Sequence, residues 1–364
     1  MAKSFALLAL FLLPFSSVSA QELVQDERTS MKAKVLEVVS QEERLIPGTD
    51  TPTTYQSLRV EILDGAEEGK VISVENDHLR LEEGDTFYLL HTVNSFDGQD
   101  LYTVSEPYRL PALLAFGALF LAAVVFFGGL QGIRGLAALL GSLLFIIYLL
   151  FPAVLAGYSP ILVALGVASL IIILGSYVTH GFNRTTSAAV LGMVATIVFT
   201  GALAYAGVHF AHLSGFESDE AIYLNFDTRG AIDFSGLLLG GILIGLLGVL
   251  YDAAIGQAIA VEELSRAAPT MPRATLYQRA LRMGREHIGA LVNTLAIAYV
   301  GAALPLLLLF YSADADLLAT LNREIFATEI IRTLVGSIGL VLAVPITTLV
   351  SVAMLAGRSH KQHS

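Results

Sequence analysis

The chain has 364 residues, of which 55% are hydrophobic and 15% charged, and its mean hydropathy is +0.68. Soluble domains average about 45–50% apolar and about 25% charged residues, so this composition excludes an ordinary cytosolic enzyme. The net charge of −11 is concentrated in residues 21–109, which hold 19 acidic and 8 basic side chains. The absence of cysteine excludes disulfides and thiolate chemistry, and no basic patch suits nucleic acid.

Residues 1–20 have the form of a secretory signal peptide. Lys3 precedes the apolar run Phe5–Phe15, and small residues end the segment with a predicted cleavage after Ala20. A helix rises about 1.5 Å per residue, so this run is too short for a hydrocarbon core about 30 Å thick. A retained short anchor is the alternative, because bilayers thin around short helices. Cleavage would place residues 21–109 outside the cytoplasm.

Residues 21–109 are predicted to form a small acidic β domain. Glycines separate five short strand-like segments, namely Met31–Val39, Tyr55–Leu63, Val71–Val74, Thr86–Leu90 and Leu101–Val104. This pattern favours a small all-β barrel or sandwich, and we expect an OB-like barrel. Its acidity would repel nucleic acid, so we interpret it as an extracytoplasmic docking or gating module that meets a protein partner.

Long uncharged stretches predict an α-helical membrane protein with seven transmembrane helices in residues 110–355, followed by a cytoplasmic tail at 356–364. The predicted spans are 110–133, 136–153, 160–178, 188–210, 234–260, 288–311 and 333–355. With the β domain outside, arginine and lysine favour the inner loops by nine to three. The sequence therefore predicts a multispan protein of the cell membrane, surrounded by membrane lipid, with its C-terminus in the cytoplasm.

The fifth predicted span carries the main candidate for chemistry, Asp252. A carboxylate in hydrocarbon costs about 2.5–3.5 kcal/mol on insertion scales, so it should face the protein interior or a water-filled cavity. An ion or proton site is one interpretation, and a structural pair with an interhelical donor or an interfacial position are the alternatives. In the antiparallel sixth span, Asn293 and Thr294 reach a similar depth and would donate hydrogen bonds. Gln257 lies about 140° around the helix and would join this site only if the helix is distorted.

Glycines line the same span. Gly236 with Gly240, and Gly241 with Gly245, form small-xxx-small pairs, and Gly248 follows. Such positions let two helices approach closely, so helix packing is their first interpretation.

His209 and His212 are a weak candidate for a metal site. They lie at i and i+3 near the outer end of the fourth predicted span and share a face. Two ligands do not complete the tetrahedral coordination of Zn²⁺, so interfacial histidines are the alternative.

The loop Pro272–His287 is predicted to form a separate basic helix on the inner membrane surface. Thr270 and Pro272 would begin it, and Tyr277, Leu281 and Gly284 would share one face. We expect attraction to anionic lipid.

Enzyme motifs are missing from the chain. It has no Walker loop, no HExxH and no GxSxG. An intramembrane aspartyl protease would need a second carboxylate to share a proton with Asp252, and no second acid lies in a span core. We therefore expect neither enzymatic activity nor a cofactor.

Several motifs resemble the YibE/F-like family of membrane proteins. They are Gly245-x-x-Gly248-Val249-Leu250-Tyr251-Asp252, Gly284–Gly289 with Val292–Leu295 and Ala298–Gly301, and Thr179–Arg184. Glu286 departs from the aspartate that members often carry, but it keeps a carboxylate. The resemblance implies a bacterial-type multispan membrane protein and no particular activity.

These features favour a transporter or exporter that uses a coupling ion or proton at Asp252. The rival hypothesis is a non-transporting scaffold, sensor or accessory subunit, in which Asp252 only holds helices together. The lack of an ATPase motif makes a self-powered pump unexpected. The two hypotheses differ in whether a titratable charge is required.

Overall fold

The computed structural model describes residues 27–356 except 47, 49, 78, 94–98 and 313–315. The predicted signal peptide and the tail after residue 356 lie outside the described residues. The chain divides into two compact units, Met1–Leu121 and Ala122–Ser364.

The first unit contains an antiparallel sheet, which has five strands in the described residues. They are β1 (Glu27–Leu45), β2 (Pro52–Ile62), β3 (Val71–Asn76), β4 (Thr86–Val93) and β5 (Asp100–Pro107), in the order β3–β2–β1–β4–β5. β1 pairs with β4 along its first part and with β2 over most of its length, and its register shifts after Val35 and after Val38. Such bulges bend a strand, which lets β1 serve both neighbours. Each of the predicted strand segments overlaps an observed strand.

The sheet forms a half-barrel around its own hydrophobic core. Met31, Leu58, Ile62, Phe87 and Leu89 are among the buried side chains that fill it. The edge strands β3 and β5 approach each other, but no backbone ladder joins them in the described residues. Where the sequence predicted an OB-like barrel, the structure thus has a half-barrel that is open between β3 and β5.

The elements that follow the sheet in the described chain are helical. They are α1 (Leu110–Phe145), a π-helical turn (Ile146–Leu150), α2 (Phe151–Leu155), α3 (Pro160–His180), α4 (Arg184–Phe210), α5 (Asp219–Asp227), α6 (Phe234–Ala267), α7 (Arg273–Ala302), α8 (Leu304–Ser312), α9 (Leu317–Leu321) and α10 (Glu324–Leu355). Within the described residues, five helical segments are long and apolar enough to cross a membrane: Leu110–Leu155, α3, α4, α6 and α10. α7 and α8 meet at 65° and make a sixth if they form one bent span.

The first two predicted spans lie in one helical stretch of 46 residues, Leu110–Leu155. This stretch is broken at Gly129, whose φ of 54° and ψ of −139° are not helical. A Cβ on Gly132 would collide with the carbonyl oxygen of Val124, so the chain on the two sides of the break is close together. The predicted boundary between these two spans was at Arg134. The observed break lies upstream of it, at Gly129.

The separate surface helix expected at 272–287 does not exist in the structure. Residues from Arg273 to Ala302 form the single helix α7, which runs without a break into the predicted sixth span. Leu276 and Ala280 are buried with Val261 of α6 and Val352 of α10. This burial packs the basic segment against α6 and α10 as the first half of α7.

The helical core is centred on α10, which packs against α4, α6 and α7. Small and hydroxyl-bearing residues let α4 and α10 approach closely, since a Cβ on Gly192 would meet Thr347 and a Cβ on Gly339 would meet Thr200. The hydroxyl groups of Thr196 and Thr200 donate to carbonyl oxygens in their own helix. Close backbone packing of this kind stabilises helix pairs where water is absent.

Candidate functional site

Asp252 lies on a face of α6 that the rest of the described chain does not cover. Gly241, Gly245, Gly248, Asp252 and Gly256 are all exposed and recur at intervals of three or four residues. This spacing places them on one side of the helix. We call these five residues the α6 glycine face. Among the described residues, Asp252 makes no hydrogen bond or ion pair.

The glycine face is open over most of its length. A Cβ added at Gly241, Gly248 or Gly256 would meet no described atom within 4 Å, and one at Gly245 would be 3.2 Å from the Tyr299 hydroxyl. The packing role expected for Gly241 and Gly248 therefore has no partner within the described chain.

Close packing on α6 occurs instead on the side that faces α3. A Cβ at Gly240 would lie 3.1 Å from the Cβ of Ala164, and one at Gly236 would lie 3.2 Å from the Cδ of Pro160. The first small-xxx-small pair is thus a helix contact, whereas the glycine face remains uncovered.

The structure does not bring the other candidate ligands into hydrogen-bond contact with Asp252. Gln257 is 5% exposed, and its Nε2 donates to the Ala280 carbonyl at 2.8 Å and to Thr348 Oγ1 at 2.7 Å. Because α6 is continuous here, Gln257 faces the seam with α7 and α10, away from Asp252. The hydroxyl of Thr294 donates to the Ala290 carbonyl at 2.9 Å.

Asn293 differs from those two residues. Its side chain is exposed, and it makes no hydrogen bond among the described residues. Its amide therefore remains available at the surface of α7.

A cavity of about 330 Å³ lies where α3 ends, α4 begins and α6 approaches its C-terminus. His180 and Thr185 line one side, and Ile259, Glu262 and Arg266 line the other. Thr185 Oγ1 donates to Glu262 Oε2 at 2.6 Å, and Arg266 donates to Glu262 Oε1 at 2.5 Å. We call this space the inner cavity, because the sequence predicts that end of these helices to face the cytoplasm.

The sequence between α3 and α4 builds one wall of the inner cavity. The Asn183 side chain accepts a hydrogen bond from the Thr186 backbone N–H at 2.8 Å and so caps α4. The ring centroid of His180 lies 5.9 Å from that of Tyr251. Two separate sequence motifs, Thr179–Arg184 and Tyr251-Asp252, are therefore neighbours in the structure.

Asp252 lies outside the lining of the inner cavity, on the same side of α6 as two residues that line it. Asp252, Ile255 and Ile259 lie at i, i+3 and i+7, and the two isoleucines line the cavity. Glu262, His180 and Thr185 were not predicted as site residues. In the sequence they are polar residues at the predicted inner ends of three spans, but sequence alone did not show that those ends meet.

His209 and His212 line a second cavity, of about 270 Å³, near the C-terminal end of α4 and the N-terminal end of α6. Tyr205 and Ser235 also line it, and the rings of Tyr205 and His209 stack with centroids 6.1 Å apart. Within the described residues, no group of three or more histidine, aspartate or glutamate side chains is arranged to hold a metal ion. The site thus offers two imidazoles and no third ligand of these types.

The open edge of the half-barrel carries a polar cluster. Lys70 Nζ donates to Glu67 Oε1 at 2.7 Å and to the Tyr102 hydroxyl at 3.0 Å, and that hydroxyl donates to Glu67 Oε2 at 2.7 Å. These contacts link the start of β3 to β5. The hydrogen bond from Lys70, followed by that from Tyr102, lowers the pKa of Glu67, and the same bond to Glu67 raises the pKa of Lys70.

A β half-barrel followed by five or six helices able to span a membrane, one of them with an internal carboxylate, is the arrangement typical of a polytopic membrane protein. Residues 116–357 match the family described as YibE/F-like protein, and the chain belongs to that family. This match confirms the resemblance seen in the sequence. No curated protein and no solved structure matches the chain.

Proposed function

We propose that this protein is an ion-coupled transporter or exporter of the cell membrane and that Asp252 binds the coupling ion or proton. The supporting observation is the placement of Asp252, which lies within an apolar helix, is exposed, and has no ion pair or hydrogen bond among the described residues. Ionisable residues in membrane spans are costly and ordinarily face the interior of the helix bundle or a water-filled cavity. Asn293, whose exposed side chain makes no hydrogen bond among these residues, is the donor that we assign to this site.

In this proposal the chain crosses the membrane seven times, with Gly129 separating the first two crossings. The β half-barrel lies outside, where it gates the transporter or docks a protein partner, and the C-terminus lies in the cytoplasm. The inner cavity then opens to the cytoplasm and gives the ion access to Asp252 along α6. The protein performs no enzymatic step and needs no cofactor.

The glycine face offers a second candidate function. Because Gly241 and Gly248 are uncovered, a helix of another protein can approach α6 closely there. Asp252 would then accept a hydrogen bond from that helix, and the protein would be a scaffold, sensor or accessory subunit.

The first experiment is complementation of a deletion strain under stress from metals, acids, salts and antimicrobial peptides. We expect Asp252→Asn to reach the membrane at wild-type abundance and fail to rescue growth. Glu263→Gln, which removes an exposed carboxylate farther along α6, should rescue and serves as the matched control. Full rescue by Asp252→Asn together with failure of Gly241→Leu would instead favour the scaffold.

A second experiment measures ion binding directly. Purified protein in liposomes on a solid-supported membrane is exposed to steps in pH or in cation concentration. We expect a charge displacement in the wild type and in Glu263→Gln, and none in Asp252→Asn. An unchanged signal in Asp252→Asn would overturn the role of this carboxylate.

A further inference from the structure

The first half of α7 presents three arginines opposite its buried side. Arg279, Arg282 and Arg285 are exposed and lie at i, i+3 and i+6. Ala280 and Gly284 are buried, and on an ideal helix Arg282 points about 160° away from each of them. We call these three arginines the α7 basic face.

The basic face has no partner in the described part of the chain. None of its guanidinium groups forms an ion pair there, whereas Arg266 on the neighbouring helix binds Glu262 and Glu263. Glu286 is the only carboxylate in the segment 273–287. The face therefore carries three positive charges beside a single carboxylate, and it is positive overall.

Contacts between α7 and α6 show which part of α6 lies beside the basic face. The Ala280 carbonyl accepts a hydrogen bond from Gln257, and a Cβ on Gly284 would meet Gln257 Oε1 at 2.5 Å. Gln257 lies near the end of the apolar stretch of α6, shortly before the charged pair Glu262 and Glu263. In a membrane, this is the level at which the hydrocarbon ends and the headgroups begin.

We propose that the α7 basic face binds the phosphate groups of anionic phospholipids in the inner leaflet. Arginine pairs with phosphate oxygens through two parallel N–H donors, and anionic leaflets attract basic side chains at the membrane edge. α7 continues beyond the face into an apolar half with exposed side chains such as Ile297, which is 61% exposed. One lipid molecule can therefore contact arginine with its headgroup and the same helix with its acyl chains.

The test compares lipid binding by the full-length protein and two triple variants. Native mass spectrometry measures retained phosphatidylglycerol and phosphatidylcholine in the wild type, in Arg279→Gln/Arg282→Gln/Arg285→Gln, and in Arg28→Gln/Arg44→Gln/Arg59→Gln. The last variant removes the same charge from the β half-barrel. Thermal unfolding in a neutral detergent first establishes that all three proteins are folded.

We expect the wild type and the half-barrel variant to prefer phosphatidylglycerol, and the α7 variant to lose that preference. The preference for phosphatidylglycerol should fall by about fivefold for each arginine removed, and this effect should shrink at high salt. Equal binding of the two lipids by the wild type, or an unchanged preference in the α7 variant, would overturn the proposal. Displacement of phosphatidylglycerol by millimolar inorganic phosphate would also overturn it, because the face would then select free phosphate.

Discussion

Thr347 of α10 occupies the space that a side chain on Gly192 of α4 would need. The Oγ1, Cα and Cβ atoms of Thr347 lie 2.5, 2.9 and 3.0 Å from the position of that missing Cβ. Two of these atoms belong to the backbone or adjoin it, so a change of rotamer cannot relieve the contact. The distance between α4 and α10 is therefore set by a residue without a side chain.

The substitution Gly192→Ala should separate α4 from α10 and destabilise the helical unit. Inserting atoms into a packed interior costs about 1–3 kcal/mol, which exceeds the gain of up to about 1 kcal/mol from alanine's helix propensity. We expect a lower midpoint of thermal unfolding, measured in detergent by the loss of the monodisperse peak.

The matched control for that prediction is Gly248→Ala. A Cβ at Gly248 meets no described atom within 4 Å, so only the propensity gain remains and stability should be unchanged or higher. Equal destabilisation by the two substitutions would contradict the assignment of α4 and α10 as the tightly packed pair.

The location of most elements follows from the sequence, because their hydrophobic patterns are local. Predicted spans from residue 160 onward fall on α3, α4, α6, α7 with α8, and α10. Their ends were set too short, since apolar runs mark only the hydrocarbon part of a helix. α6 continues to Ala267 and α10 begins at Glu324, where charged residues extend the helices beyond the apolar stretch.

The contacts between elements could not be predicted in the same way. Gly192 and Gly248 look alike in the sequence, yet one faces a backbone and the other faces open space. The inner cavity likewise depends on Thr185 meeting Glu262, two residues far apart in the chain. Such pairs are decided by helix rotation and neighbour choice, which a single sequence does not encode locally.

The open edge of the half-barrel should loosen at low pH. The pKa of Glu67 is lowered from 4.5, so its bonds to Lys70 and Tyr102 stabilise the edge fully above about 4.5. This stabilising contribution of Glu67 is lost as the pH falls through its pKa in the folded protein, which is lower than 4.5. Hydrogen-exchange mass spectrometry, corrected for intrinsic rates, should show weaker protection of β5 peptides under acidic conditions.

Lys70 of the same cluster gives the opposite pH dependence, because its stabilising contribution is lost at high pH. The pKa of Lys70 is raised above its ordinary 10.5, so its contribution is complete below that value and is lost only at higher pH.

The substitution Glu67→Gln tests the acid dependence. It should weaken protection of β5 at neutral pH and remove the acid dependence, while Glu43→Gln, an exposed change in β1, should do neither. Acid loosening that persists in Glu67→Gln would assign it to other carboxylates.

Two cysteine variants test whether Gly129 separates two membrane crossings. The natural chain has no cysteine, so Gln131→Cys and Tyr158→Cys each carry a single reactive thiol. If the chain crosses seven times, a membrane-impermeant reagent should label Gln131→Cys from the cytoplasmic side and Tyr158→Cys from the outer side. Labelling of both from one side would mean that Leu110–Leu155 does not contain two full crossings.

The same chemistry tests whether water reaches the α6 glycine face. We expect a charged thiosulfonate reagent to label Ile259→Cys and Asp252→Cys from the cytoplasmic side, because Ile259 lines the inner cavity and the proposed ion path runs from there along α6 to Asp252. Leu250→Cys, at a fully buried position, should stay unlabelled.

Leu174→Cys is the control that distinguishes a position facing water from a position facing lipid. Leu174 is 42% exposed on α3 and lies close to the depth of Asp252, since the Tyr251 hydroxyl donates to the Gly175 carbonyl at 3.4 Å. A thiol in hydrocarbon stays protonated and does not react, because the thiolate is the nucleophile. If Asp252→Cys reacts and Leu174→Cys does not, the carboxylate faces water and can exchange ions with the cytoplasm. If both stay unlabelled, lipid or another subunit covers the glycine face, and the proposed ion path along α6 is wrong.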